Sequence, residues 1–174
     1  MYKRQHKELC DVSDWMYHNP ELGFKEFETS KYLVNFIQSK NVKVNYPSHK
    51  LDTAFDVTFG DSGPLVVLCV EYDALPEIGH ACGHNIIATA SIGAGLGLQD
   101  IANDLGIRVK LLGTPAEEGG GGKIILLDNG AFEDAICSMM IHPGSENVVN
   151  PTFTTIQQYT VEFFGKDAHA AGAP

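Results

Sequence analysis

His80-Ala81-Cys82-Gly83-His84-Asn85 sets a thiol and two imidazoles within five residues, and an adjacent carboxylate pair, Glu117-Glu118, and then His142 follow along the chain. Thiolate, imidazole and carboxylate are the side chains that hold divalent transition metals. A carboxylate beside a metal-activated water can also serve as a general base. The set therefore points to metal-assisted hydrolysis. In an extended turn, Cys82 and His84 project to the same side, within reach of one metal or of two adjacent ones. Glu117 and Glu118 point in different directions, so one can bind metal while the other faces water. Asp73 could orient a ligand imidazole from behind.

Each of these residues also has a plainer reading. Cys82-Gly83-His84 alone reads more readily as a buried thiol beside a helix-capping turn, and His80 as a third donor within five residues brings the two readings level. A Glu pair is commonly a solvated acidic loop, a lone His142 a hydrogen-bonded structural histidine, and Asp73 a turn residue before Ala74-Leu75-Pro76. His80 is expected in a supporting or structural role. His6, His18 and His49 have no evident partners and are expected on the surface. A cysteine hydrolase, with Cys82 as nucleophile and His142 as base, is a further option. It leaves the Glu pair without a task. The glycines at 119–122 do not make a phosphate loop, because Glu117 stands where its first glycine belongs and Ile124 where Ser or Thr is required. Gly93, Gly95 and Gly97 do not make a dinucleotide fingerprint. The run 119–122 could instead let a substrate approach the backbone closely.

The elements that must position these residues alternate between strand and helix. Helices are predicted over 5–17 and 25–39, and strands over Val42–Tyr46 and Ala54–Phe59. Leu65–Val70 is a continuous apolar run that suits a strand buried on both faces. A helix over 84–99 is rich in Ala and Gly, which would let it lie close to a sheet. A strand over Ile107–Leu112 empties into the loop carrying the Glu pair. A helix over Lys123–Asn129 and a strand over Ser138–Ile141 follow, the strand delivering His142. The class is α/β, in which ligands bind outside the carboxyl ends of the strands. Asp73, Glu117, Glu118 and His142 all fall there. After Asn150-Pro151 a strand over Tyr159–Phe164 is predicted, and Gly165–Ala171 begins a new turn.

Composition narrows the function. A formal net charge of -10, with few basic residues and no basic cluster beyond Lys3-Arg4, argues against nucleic acid as a partner. No apolar run is long enough to span a membrane, and Met1 to Glu8 is polar, so a cytoplasmic protein is expected. Of the four cysteines none forms a CxxC pair; Cys69 and Cys137 sit in apolar strand-like runs and are expected to be buried and inert.

Taken in order, His18–Gly23, Glu71–Pro76, His80–Asn85, Thr114–Glu118 with its glycine tail, His142-Pro143 and Gly165–Pro174 resemble the peptidase family of aminoacylases, carboxypeptidase G and plant indole-acetyl-amino-acid hydrolases. The resemblance implies a three-layer zinc-exopeptidase-like catalytic domain with a mostly parallel mixed sheet, here residues 1–152, and the start of an inserted α+β lid or dimerisation domain at 153–174. It implies two divalent metal ions, Zn or Mn, and hydrolysis of an amide bond in a dipeptide or an N-acyl or aminobenzoyl amino acid. Carried over, Cys82 matches the ligand bridging two metals, His84 and His142 terminal ligands, Glu118 a carboxylate ligand, Glu117 the general base and Asp73 the supporting acid. His169 matches the lid histidine that stabilises the carbonyl oxygen of the reacting amide, often across a homodimer interface. Asn85 in place of Asp, and Glu71-Tyr72-Asp73 as the lead-in, resemble the branch of aminoacyl dipeptidases and p-aminobenzoyl-glutamate hydrolase. Members of the family are longer, with a full lid and a returning segment that carries a further metal-ligand histidine. The alternative is therefore a partial chain that at most binds metal without turnover.

Overall fold

Strand formation in this chain follows from where apolar residues run without interruption. The computed structural model describes residues 2–152, 154–155, 157, 159–169 and 171–172. In chain order its elements are α1 (Tyr2–His18), α2 (Phe27–Gln38), β1 (Asp56–Phe59), β2 (Leu65–Val70), α3 (His84–Leu98), β3 (Arg108–Gly113), α4 (Gly122–Asp128) and β4 (Ala135–Met139). β2, the apolar run, lies inside a four-stranded sheet of order β1-β3-β2-β4. It pairs in parallel with β3 and β4, while β1 pairs antiparallel with β3. The sheet is thus mixed and mostly parallel, as the resemblance implies.

Alternation along the strands sends side chains to two cores. Leu68, Val70, Val109 and Leu111 join Val12, Met16, Leu33, Ile37, Ala88 and Ile92 from α1, α2 and α3 on one face. Val67, Cys69 and Leu112 meet Leu126 of α4 and Ala131 on the other. This gives three layers, with each fully buried Leu, Ile or Phe contributing about 1.5–3 kcal/mol of burial. The small residues of α3 do what the sequence suggests at two points. A side chain at Gly95 would meet Leu111 Cδ2 at 2.6 Å, and one at Gly93 would meet Leu9 of α1 at 2.7 Å; Gly97 has open space.

The segment before α2 explains part of the His18–Gly23 motif. The carboxylate of Glu21 accepts the N–H groups of Thr29 (2.7 Å) and Glu28 (3.3 Å), two of the free donors in the first turn of α2. The carbonyl of Glu21 accepts the N–H of Ala74 (2.8 Å), which ties this segment to the loop after β2.

Several expectations need correction. Val42 and Val44 are buried in alternation, but 42–46 makes one bridge, Asn45 to Asp56, rather than a strand. Pro47 stands where the next ladder N–H is needed, and Ser48 supplies it to Ala54 O instead. The last strand is Ala135–Met139, not 138–141, so His142 lies three residues beyond its end. It is the edge of the sheet, with most of its residues exposed; Cys137 is therefore exposed, against expectation, while Cys69 is buried. His49 is half-buried rather than partnerless, 3.3 Å from Asn129 O and 3.4 Å from Asp56 Oδ1.

The chain divides into two units, Met1–Pro143 and Gly144–Pro174. Within the second, residues 159–164 are exposed and form no strand, since its described residues offer none to pair with. Among the described residues no helix is long and apolar enough to cross a membrane.

Candidate metal centre

β2 ends at Val70, and the three residues that follow turn two carboxylates inward. Glu71 and Asp73 are almost fully buried at the carboxyl end of the sheet, with Tyr72 between them donating to Thr53 O (2.6 Å). Facing them is His84, the first residue of α3 and fully buried. Its Nδ1 lies 2.8 Å from Asp73 O and 3.1 Å from Asp73 Oδ1. Both neighbours are acceptors, which puts the ring proton on Nδ1 and leaves the lone pair on Nε2. That nitrogen is 3.4 Å from Glu71 Oε2, 3.7 Å from Glu117 Oε2 and 3.7 Å from Glu118 Oε1. Burial works against charge on His84, but the bond to and charge of Asp73, with Glu71, raise its pKa overall.

The Glu pair is delivered by the loop after β3. Ala116 holds a left-handed backbone, φ 56°, a conformation costing roughly 1–3 kcal/mol for a residue with a side chain. The N–H of Glu118 donates to Asp73 Oδ2 (2.9 Å), so Asp73 is bonded both to His84 and to this loop. Burial opposes ionisation of Asp73, yet the bonds from His84 and Glu118 outweigh it and hold its pKa below the ordinary value. Glu117 is 40% exposed; desolvation first, and the charge of Glu71 second, push its pKa up. The glycines are largely consumed by the loop's own packing. A side chain at Gly120 would strike the Phe24 ring, and one at Gly122 the carbonyl of Pro115.

The third arm is Cys82 with His142. Cys82 Sγ lies 3.3 Å from His142 Nε2, and His142 Nδ1 donates to Pro143 O (2.7 Å), which aims Nε2 at the sulfur. Gly83 makes this approach possible. It sits at φ 86°, and a side chain there would come within 2.8 Å of Pro143 Cγ. Burial, then Glu118, Glu117 and Glu71, push the Cys82 thiol up to about 12.

Two sets of donor atoms, each within 4.8 Å of one another, share His84: Cys82, His84 and His142, and Glu71, His84 and Glu117. The sequence-predicted Asp73, Cys82, His84, Glu117, Glu118 and His142 are thus brought together. His169 lies in the second unit, exposed, with Nδ1 accepting from Ala171 N (3.3 Å) and Gly172 N (3.1 Å). Asn85 faces away from the donors and bonds Ser13 Oγ of α1 (2.9 Å). His80 is buried with neither ring nitrogen hydrogen-bonded; burial, then His84, lower its pKa.

Sequence reasoning assigned no role to Glu71, Lys123 or Glu26. Glu71 Oε1 pairs with Lys123 Nζ, and Glu26 lies buried behind Ala116. The available signal was an acidic residue directly after a doubly buried strand. The cluster's own atoms call for a cation. Glu71 Oε2, Glu118 Oε1 and His84 Nε2 are all buried and have no hydrogen-bond partner. Such atoms are costly to bury unless something satisfies them, and a divalent cation suits all three.

An α/β sheet with a thiol, imidazoles and carboxylates converging at its strand ends has the donor set of a metal-binding α/β domain. Comparisons with known proteins agree. The chain is 39% identical over 181 residues to Xaa-Arg dipeptidase of Mus musculus, covering 95% of this chain and 42% of that protein. It is 30% identical over 184 residues to one of the subunits of p-aminobenzoyl-glutamate hydrolase from Escherichia coli K12, covering 94% of this chain and 38% of that one. Its fold matches a dinuclear metal binding peptidase of the M20 family from Bacillus subtilis, with a TM-score of 0.71 at 24% identity, over 78% of this chain and 42% of that chain. No protein-family model matches. The chain is similar over nearly its whole length to these curated hydrolases, and it spans about two fifths of their length.

Proposed function

We propose that this chain carries the metal centre of an amidohydrolase that cleaves the amide bond of a dipeptide or of an N-acyl or aminobenzoyl amino acid. The observation that carries this reading is the convergence of three buried, unsatisfied donor atoms, Glu71 Oε2, Glu118 Oε1 and His84 Nε2, beside the Cys82–His142 pair. Cys82, His84, Glu118 and His142 would hold two divalent ions, Zn or Mn, with Glu71 as a further carboxylate donor. Bound there, the ions would supply positive charge and Lewis acidity that favour hydroxide over water at neutral pH. Glu117, the most exposed of the carboxylates, takes a proton from the attacking water and passes it to the leaving nitrogen as the C–N bond breaks. Asp73 holds His84 in the tautomer that leaves Nε2 free. His169 is assigned to the carbonyl oxygen of the substrate, within a second domain beginning near residue 153 that would also form a homodimer.

A cysteine hydrolase has one observation in its favour, the 3.3 Å Cys82–His142 contact. Nucleophilic cysteines, however, sit in surroundings that lower the thiol pKa, and Cys82 is pushed up to about 12 among three carboxylates. The geometry therefore favours Cys82 as a metal ligand.

The test has two parts. Elemental analysis of the purified chain should find divalent metal, lost in Cys82→Ser and Glu118→Ala. In the full-length protein, Glu117→Ala should retain metal and lose amide hydrolysis. Chelator-insensitive hydrolysis abolished by alkylating Cys82 would reverse the assignment.

A further inference from the structure

Outside the donor cluster lies one fully buried carboxylate that takes part in no ion pair among the described residues, Glu26. Its Oε1 accepts the N–H of Ala116 (2.8 Å) and its Oε2 accepts the hydroxyl of Thr53 (3.1 Å). A buried carboxylate without a cation is a costly way to satisfy one backbone N–H. The N–H it satisfies belongs to the left-handed, fully buried residue directly before Glu117-Glu118. The neighbours of Glu26 embrace the same turn. Gly23 packs tightly on the turn, where a Cβ would lie 3.0 Å from Ala116 Cα, and the Phe24 ring covers Gly120. On the far side, Asp73 Oδ2 accepts the N–H of Glu118. The loop is thus pinned at Ala116 by Glu26 and at Glu118 by Asp73.

We propose that Glu26 is a positioning residue for the Glu117-Glu118 pair: its carboxylate fixes the left-handed turn at Ala116 and so directs both side chains toward His84. The positioning itself is independent of metal; its consequence for metal rests on the function proposed above. Glutamine can keep both bonds, since its amide oxygen accepts the Ala116 N–H and its NH2 can donate to Thr53 Oγ. Alanine keeps neither.

Amide hydrogen exchange on the metal-free chain, read residue by residue, tests the positioning. Glu26→Ala should speed exchange at Ala116 and Glu118 about tenfold relative to the amides of β2, and Glu26→Gln should stay within about threefold of wild type. Exchange at those two residues that rises no more than in β2, or an equal effect from glutamine, would overturn the proposal. Should the alanine variant fail to fold, Thr53→Val, which frees one carboxylate oxygen, takes its place: faster exchange at Ala116 supports the role and unchanged exchange refutes it. Zn2+ titration of the same variants adds the link to the site, with affinity expected to fall about tenfold in Glu26→Ala and to recover in Glu26→Gln. A wild-type chain that takes up no Zn2+ removes the metal reading, while the exchange ratio at Ala116 still decides the role of Glu26.

Discussion

Replacing Asp73 by asparagine should cost more metal affinity than its small change in shape suggests, because both carboxylate oxygens are used as acceptors. Oδ1 accepts from His84 Nδ1 (3.1 Å) and Oδ2 from the N–H of Glu118 (2.9 Å). An amide offers one acceptor and one donor. If its oxygen meets Glu118, its NH2 confronts the Nδ1 proton of His84. The ring can answer only by moving that proton to Nε2, which also forfeits the 2.8 Å bond to Asp73 O and blocks the nitrogen that faces Glu71, Glu117 and Glu118. If the amide is reversed, the Glu118 N–H is left facing a donor. Either way one buried donor is misplaced, at roughly 1–3 kcal/mol. Loss of a partner that orients a ligand lowers metal affinity about 10–100-fold, which is the same scale. Asp73→Ala, by contrast, keeps the backbone carbonyl at position 73 and therefore the Nδ1 tautomer. The expected order of Zn2+ affinity is wild type, then Asp73→Ala, then Asp73→Asn. Competition against a chromophoric chelator measures it, and the 15N shifts of the His84 ring report the tautomer. Zn2+ binding by Asp73→Asn within about threefold of wild type would refute the reasoning.

Cys82 must lose its proton to bind metal, and in the metal-free chain burial and then Glu118 push its thiol up to about 12. Affinity should therefore rise with pH, by about tenfold per unit near neutrality, and calorimetry across buffers of different ionisation enthalpy should register the proton released on binding. Lys123→Met leaves Glu71 as a buried carboxylate without its ammonium; because Lys123 is one-third exposed, the loss of stability should be about 1–3 kcal/mol rather than the full value for a buried pair. In thermal denaturation, Zn2+ should raise the midpoint of that variant more than that of wild type, and an equal rise would count against a cation between Glu71 and His84. Gly83→Ala adds left-handed strain of roughly 1–2 kcal/mol to a 2.8 Å clash with Pro143 Cγ. Urea denaturation should show the loss of stability, and chelator competition a weaker site, since Pro143 carries His142 with it.

How far these features were legible depends on what kind of pattern encodes them. β2 was plain because Leu65–Val70 is apolar throughout and is flanked by turn residues, and α3 because its small residues coincide with close contacts to Leu111 and Leu9. The Val42–Tyr46 segment misled because burial alternates there without a ladder; the pattern records which side faces the core, and a missing N–H at Pro47 decides pairing. Cys137 misled for a related reason, since an apolar strand at a sheet edge looks in sequence like one inside. The donor residues were legible as types and order. Glu26 was not, because it is 90 residues from Ala116 in sequence and its function lies in a single hydrogen bond to a backbone group. Glu71 was visible as an acid after a buried strand, but its two contacts, Lys123 and His84, come from two different helices, α4 and α3.

Charge offers an independent route to the number of metals. Four carboxylates, Glu71, Asp73, Glu117 and Glu118, converge on the neutral His84 ring, and among the described residues Lys123 is the one ammonium paired with them. Ionised, they leave the cluster three negative charges in excess, and a metal-bound thiolate at Cys82 makes four. A low-dielectric pocket does not hold four uncompensated charges; in the metal-free chain the strain emerges as protons retained, which is the sense of the raised pKa values at Cys82 and Glu117. One divalent cation would still leave the cluster two charges short of neutral. Two would balance it and would allow those protons to leave. The same residues that supply the ligands therefore set the expected stoichiometry, and a measured value of one metal per chain should be accompanied by two retained protons, one on the Cys82 thiol and one on a carboxylate, with Glu117, the most exposed of the four, the carboxylate that takes it.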